Sequence, residues 1–141
     1  MTSFWCAIAA VLLAGCASSA PPPDALYNRL GGMAAIAALA GAFADRVASD
    51  KRIGDLKDLD IESFKRAMER HFCSVSRGPC YSIGRNLEFF FQERGIEDER
   101  FSVVLEHLSA TLRDARIGEA ERIEMETALL SECGRKKRRG C

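Results

Sequence analysis

Whatever covalent, redox or metal chemistry this 141-residue chain performs falls to six cysteines and two histidines. Cys73, Cys80, Cys133 and Cys141 show no C-x-x-C spacing, so neither a redox dithiol nor a zinc knuckle is signalled. No G-x-S-x-G, H-E-x-x-H, P-loop or Rossmann fingerprint is present. The carboxylates of "QERGIEDER" fall at a helix start, where negative charge favours the N-terminal dipole, and that explains them without a catalytic role. No conventional catalytic residues are expected. The cysteines are left with cross-linking or covalent attachment, and His71 and His107 with structure or metal ligation.

Compartment decides among the cysteine roles. "MTSFWCAIAAVLLAGC" carries no charged side chain, and its apolar run is as long as a signal-peptide core and too short to span a bilayer. The chain is expected to be exported. "LAGC" resembles the lipobox of bacterial lipoproteins, which implies cleavage before Cys16 and a thioether-linked lipid on it; a plain secretory signal cut after "CASSA" keeps the export and loses the anchor. Ala17 rather than Asp follows Cys16, which implies sorting to the outer membrane. In an oxidising periplasm disulfides are the default. Four cysteines allow three pairings, of which Cys73 with Cys80 and Cys133 with Cys141 are local and need the least rearrangement.

Composition divides the rest. Residues 17–23, "ASSAPPP", are small, polar and proline-rich, as suits an extended tether. A domain over 24–133 follows, and from Asp24 about 118 residues remain, enough for one domain with one core. Twenty basic and twenty acidic residues balance to zero, so no global field argues for nucleic acid or an acidic substrate. The exception is "GRKKRRG" in the 134–141 tail, a solvated run that could also be drawn to anionic lipid headgroups.

The domain reads as helices throughout. Asp24 is placed to cap a short helix over "ALYNRL" that Gly31 and Gly32 end. Ile36, Leu39, Phe43 and Val47 recur at helical spacing in the next helix. Asp60 is a candidate cap for a third, whose face is Ile61, Phe64, Met68, Phe72 and Val75, stopped by "RGPC". "NLEFFFQERGI" gives a short helix closed by Gly95. From Glu97 to about Gly118 the stripe is Phe101, Val104, Leu105, Leu108 and Leu112, and a last helix covers "EAERIEMETALLSEC". No stretch alternates long enough for a strand, and no long repeat is present. Five or six unequal helices imply an all-α, globin-like or orthogonal packing.

"LYNRLGG", "AFADRVASD", "RGPCYSIGRNL", "RGIEDERF" and "LEHLSATL", in this order and spacing, resemble group 1 truncated globins across nearly all of residues 24–131. The resemblance implies a two-on-two helical sandwich, and a haem with O₂, NO or electron-transfer roles. Transferred residue by residue, the haem landmarks are missing. The proximal histidine's position, seven residues after Gly84, is Phe91, which has no lone pair for iron. The O₂-binding tyrosine, which follows Phe43, falls at Ala44. The paired phenylalanines of the next loop, which aligns one residue shorter, fall at Leu56 and Lys57. The distal glutamine falls at Met68.

No haem or metal is therefore expected. An empty haem pocket of about 400 Å³ would cost on the order of 10 kcal/mol, a domain's whole stability. Phe89, Phe90 and Phe91, with Phe72 and Met68 facing them, are expected to fill it. The alternative is a haem protein with noncanonical ligation by His71, which takes the place of a phenylalanine against the distal side of the haem; otherwise His71 is a partly exposed residue at the edge of its stripe. Arg85 matches a basic position that can pair with a haem propionate. His107 matches a position away from iron where relatives also carry histidine. The expected role is a haem-free binding or structural module at the membrane. Its partners are the bilayer through Cys16, an unidentified protein, and haem or a small apolar ligand.

Overall fold

The computed structural model describes residues 20–54, 60–81 and 86–131. Cys16, Leu56, Lys57, Gly84, Arg85, Cys133, Cys141 and the basic run of the tail lie outside the described residues. Six helices are described, and no strand is present among the described residues: α1 (Leu26–Leu30), α2 (Gly32–Ser49), α3 (Ile61–Val75), α4 (Leu87–Gln92), α5 (Asp98–Asp114) and α6 (Glu119–Leu130).

Four of them form the sandwich. α2 packs on α3 and α5 packs on α6, and the two pairs stack with α2 against α5 and α3 against α6. Each inner face is the apolar stripe of its sequence. Ile36, Leu39, Phe43 and Val47 of α2 meet Phe64, Met68 and Phe72 of α3 in one core with Val104, Leu108 and Leu112 of α5 and Met125 and Leu129 of α6. α2 is also apolar and long enough to cross a membrane by length and composition. Here it is the helix shared by both layers, packed on α1, α3 and α5, with Ile36, Leu39, Ala40, Phe43, Ala44 and Val47 buried and Ala34, Ala38 and Ala42 left exposed.

Local chemistry sets where the helices begin and end. Asp60 caps α3 by accepting from the Ser63 backbone N–H at 2.8 Å, as the sequence predicts. Asp24 does not cap α1. The N-cap is Ala25, and the entry is held instead by Asn28 Nδ2 donating to the Pro22 carbonyl at 2.7 Å. Gly31, at φ 108°, ends α1 and starts α2 in the left-handed region that favours glycine. α5 stops at Asp114, ahead of Gly118, and the chain reverses through Arg116 at φ 56°. α6 closes at Leu130, short of Cys133.

Candidate functional site

α4 has six residues, and its two buried rings reach α2, α3 and α5. Asn86 caps it, accepting from the Phe89 N–H at 2.8 Å. The cap fixes the register that turns Phe91 inward. Phe91 is fully buried and meets Phe43 of α2 at 6.5 Å between centroids, Phe64 of α3 at 6.0 Å, its neighbour Phe90 at 5.4 Å and Phe101 of α5 at 6.2 Å. Phe72 joins through Phe43 at 5.6 Å, and Phe90 stacks on Phe64 at 5.9 Å. Tilted and edge-on pairs at these distances add to the burial itself.

The three consecutive phenylalanines therefore divide. Phe91 and Phe90 are core, whereas Phe89 is 45% exposed and is not part of the filling. About 100° of helix separates successive side chains, so three in a row cannot all face one interior. The Arg94 guanidinium lies 3.7 Å over the Phe90 ring and donates to the Phe90 carbonyl at 2.6 Å, closing the outer edge. Phe64 and Phe101 complete the cluster. Their helical stripes marked them as core, but nothing in the sequence alone joined them to Phe91.

The other predicted positions lie around these rings. Phe43, Ala44, Met68 and Phe72 are each fully buried. Ala44 has no hydroxyl to offer a ligand, and Met68 adapts to the space between rings. His71 is 1% exposed, so it is an interior residue and not an edge one. Burial disfavours its charged form and pushes its pKa down to about 4, which leaves a neutral imidazole at ordinary pH. His107 sits away from the rings, with Nε2 2.8 Å from Asp50 Oδ2. That carboxylate is held well below its usual range, chiefly by the hydrogen bonds from the Arg52 side chain and backbone. The group joins the C-terminal end of α2 to α5 as a structural tie.

Beside the far end of α3, Cys73 and Cys80 form a disulfide across a Cα separation of 5.8 Å, one of the two local pairings expected. It pins the turn at Gly78, whose N–H donates to the Cys73 carbonyl at 2.8 Å. Among the described residues no group of three or more His, Cys, Asp or Glu side chains could hold a metal ion.

A helix pair stacked on a helix pair, with a short fourth helix inserted between the layers, defines a truncated globin. The match to known families agrees: residues 25–133 fit the bacterial-like globin family, and the chain belongs to it. It is 27% identical over 112 residues to the group 1 truncated hemoglobin of Tetrahymena thermophila, covering 79% of this chain and 91% of that protein. To that of Tetrahymena pyriformis it is 26% identical over 107 residues, covering 72% and 88%. The crystal structure of the latter's truncated hemoglobin in the Fe(III) form matches with a TM-score of 0.61 at 21% identity, over 80% of this chain and 94% of that one.

The residues of this chain do not fit a haem held in the manner the resemblance implies. The proximal position is a hydrocarbon ring, and protein side chains surround it on every helix it faces. Iron needs a donor atom there, and a porphyrin needs space that these rings already take.

Proposed function

We propose that this chain is a globin-fold module that has exchanged its haem site for a hydrocarbon core, exported and anchored through lipid on Cys16, and acting in binding or as a structural domain at the membrane. The observation that carries the reading is Phe91, fully buried among Phe43, Phe64, Phe90 and Phe101. Six phenylalanines linked by ring contacts fill the interior around the position where the resemblance puts the proximal ligand. The Cys73–Cys80 disulfide supports an oxidising destination, since such bonds are rare in the cytosol. "LAGC" and the proline-rich tether support the anchor.

The test is haem titration of the full chain, isolated from cells supplied with haem. The expected result is no stoichiometric Soret band near ~400 nm, the region where ligated haem absorbs. A stoichiometric band would end the reading. If that band were lost in His71→Ala, the function would pass to the alternative, a haem protein binding O₂ or NO or transferring electrons through the buried imidazole of α3. Metabolic labelling with a fatty acid tests the anchor separately: label is expected on the wild type and none on Cys16→Ser.

A further inference from the structure

A groove of about 470 Å³ runs along α2, and it shares no lining residue with the ring cluster. That volume is within the range of small-molecule sites, roughly 300–1,000 Å³. One wall is α2 itself, from Ala35 through Ala38 and Ala42 to Arg46. Over those residues the helix rises about 16 Å. A groove of that length has the proportions of an extended alkyl chain.

The lining chemistry agrees with the shape. Leu39 and Thr111 form the buried floor, and Ile117 faces α2 across the channel. The Thr111 hydroxyl spends its proton on the His107 carbonyl at 2.7 Å, so it has no free donor to offer a ligand. Charge enters at a single end, where Arg46 pairs with Asp114; their side chains are 37% and 66% exposed. An exposed pair of this kind is weakly held. A ligand carboxylate can replace Asp114 and take the guanidinium in two-pronged fashion.

We infer that this groove binds a single-chain fatty carboxylate, its alkyl chain along Ala35, Ala38 and Ala42 and its head on Arg46. Ala38 and Ala42 are exposed while Leu39 beneath them is core, so the wall is formed and open without ligand. The inference goes beyond the proposed function and does not rest on it, because haem and the groove would use different residues.

The test uses the full chain in lipid nanodiscs and a palmitate analogue with a diazirine at its terminal carbon, photolysed and mapped by mass spectrometry after trypsin. Cleavage at Arg29 and Arg46 releases the groove wall as one peptide, residues 30–46. Adducts are expected on that peptide, competed by palmitate and about tenfold less well by hexadecanol, which lacks the charge. Ala38→Phe fills the channel from an exposed position and is expected to lower labelling by about tenfold or more; Ala34→Phe, exposed on the same helix but outside the lining, is expected to leave it unchanged. Arg46→Gln, in which the wall peptide runs on to Lys51, is expected to erase the preference for palmitate over hexadecanol. Labelling spread evenly over exposed peptides would overturn the inference, as would adducts indifferent to Ala38→Phe. Cross-links between two copies through residues 30–46 with no fatty-acid labelling would assign the face to self-association and overturn it equally. None of these results alters the haem titration, so the two readings fail separately.

Discussion

The ring of Phe91 meets that of Phe43 edge-on, with an interplanar angle of 89° and centroids 6.5 Å apart. A contact between α4 and α2 at that distance leaves no layer between the two helices for a planar cofactor. It converts the junction of the sandwich's halves into ordinary aromatic core. The consequence is that the fold's stability now depends on residues whose positions, in the resemblance, belong to ligand chemistry.

The three adjacent phenylalanines of α4 should therefore differ sharply in cost. Phe91→Ala removes a fully buried ring with four ring neighbours and is expected to lower unfolding stability by about 3–5 kcal/mol. Phe89→Ala, at a half-exposed position, is expected to cost about 1 kcal/mol or less. Urea denaturation of the two variants decides it. Equal costs would mean that the register set by the Asn86 cap is wrong.

Restoring the histidine should not restore a haem site. Phe91→His places an imidazole among hydrocarbon rings that hold no partner for its N–H, and the expected loss is about 2–4 kcal/mol. Phe43, Phe64 and Phe101 still fill the space the porphyrin needs. No Soret band is expected on haem addition. A stoichiometric one would show that a missing ligand, and not a filled interior, separates this chain from haem-binding globins.

Much of the fold was legible because burial follows helical period. The stripes of α2 and α3 and the Asp60 cap are where the spacing predicts them. The ring cluster was only half legible. Phe91 could be placed by resemblance and Phe72 by its stripe, but the meeting of Phe64 with Phe90 and of Phe101 with Phe91 depends on how α4 enters between layers, and no local rule contains that. The errors have local causes too. Phe89 looked like filling because composition is blind to the rotation between neighbours. His71 looked like an edge residue because a histidine is polar, while its position one turn after Ala67 and Met68 puts it inside. Asp24 lost the cap to a backbone turn that Asn28 ties to Pro22.

The burial of His71 fixes a direction of pH dependence. In the unfolded chain this histidine takes up a proton below its ordinary value of about 6.5; in the folded protein it does not until about 4. Between those values the unfolded state binds more protons. Its contribution is therefore complete above about pH 6.5 and is lost as pH falls toward 4, by about 3 kcal/mol in all. Asp50 and Asp60, both held below their ordinary range, titrate lower still and fall outside that window. His71→Phe keeps an aromatic ring of similar size and should flatten the profile between pH 6.5 and 4. A wild-type profile already flat there would place His71 in contact with solvent.

Reduction should soften the same end of α3. The Cys73–Cys80 bridge closes a loop of eight residues, and opening it is expected to cost about 2–3 kcal/mol on the chain-entropy account. Denaturation with and without reductant reads the difference directly. The Cys73→Ala, Cys80→Ala double variant should unfold near the reduced protein's denaturant concentration. A wild type insensitive to reductant would mean that this bridge leaves the unfolded chain as free as before.

Two glycines, Gly78 beside that bridge and Gly41 inside α2, should respond oppositely to one added methyl group. A Cβ on Gly78 would lie 2.5 Å from Tyr27 Cδ2, 2.7 Å from the Cys73 sulfur and 2.8 Å from the Cys73 carbonyl oxygen. None of the three can yield cheaply. The sulfur is bonded to Cys80, the carbonyl accepts the Gly78 N–H, and Tyr27 is tied through its backbone N–H to the Ser76 carbonyl at 2.8 Å. Gly78→Ala is expected to destabilise by about 1–3 kcal/mol. Gly41, inside α2, has nothing within 4 Å of the same added atom, and its helical backbone suits alanine. Gly41→Ala is expected to stabilise by about 0.5–1 kcal/mol, because alanine gives up less backbone freedom on folding. Unfolding free energies of the two variants with the same sign would contradict the close approach of α1 to the turn after α3.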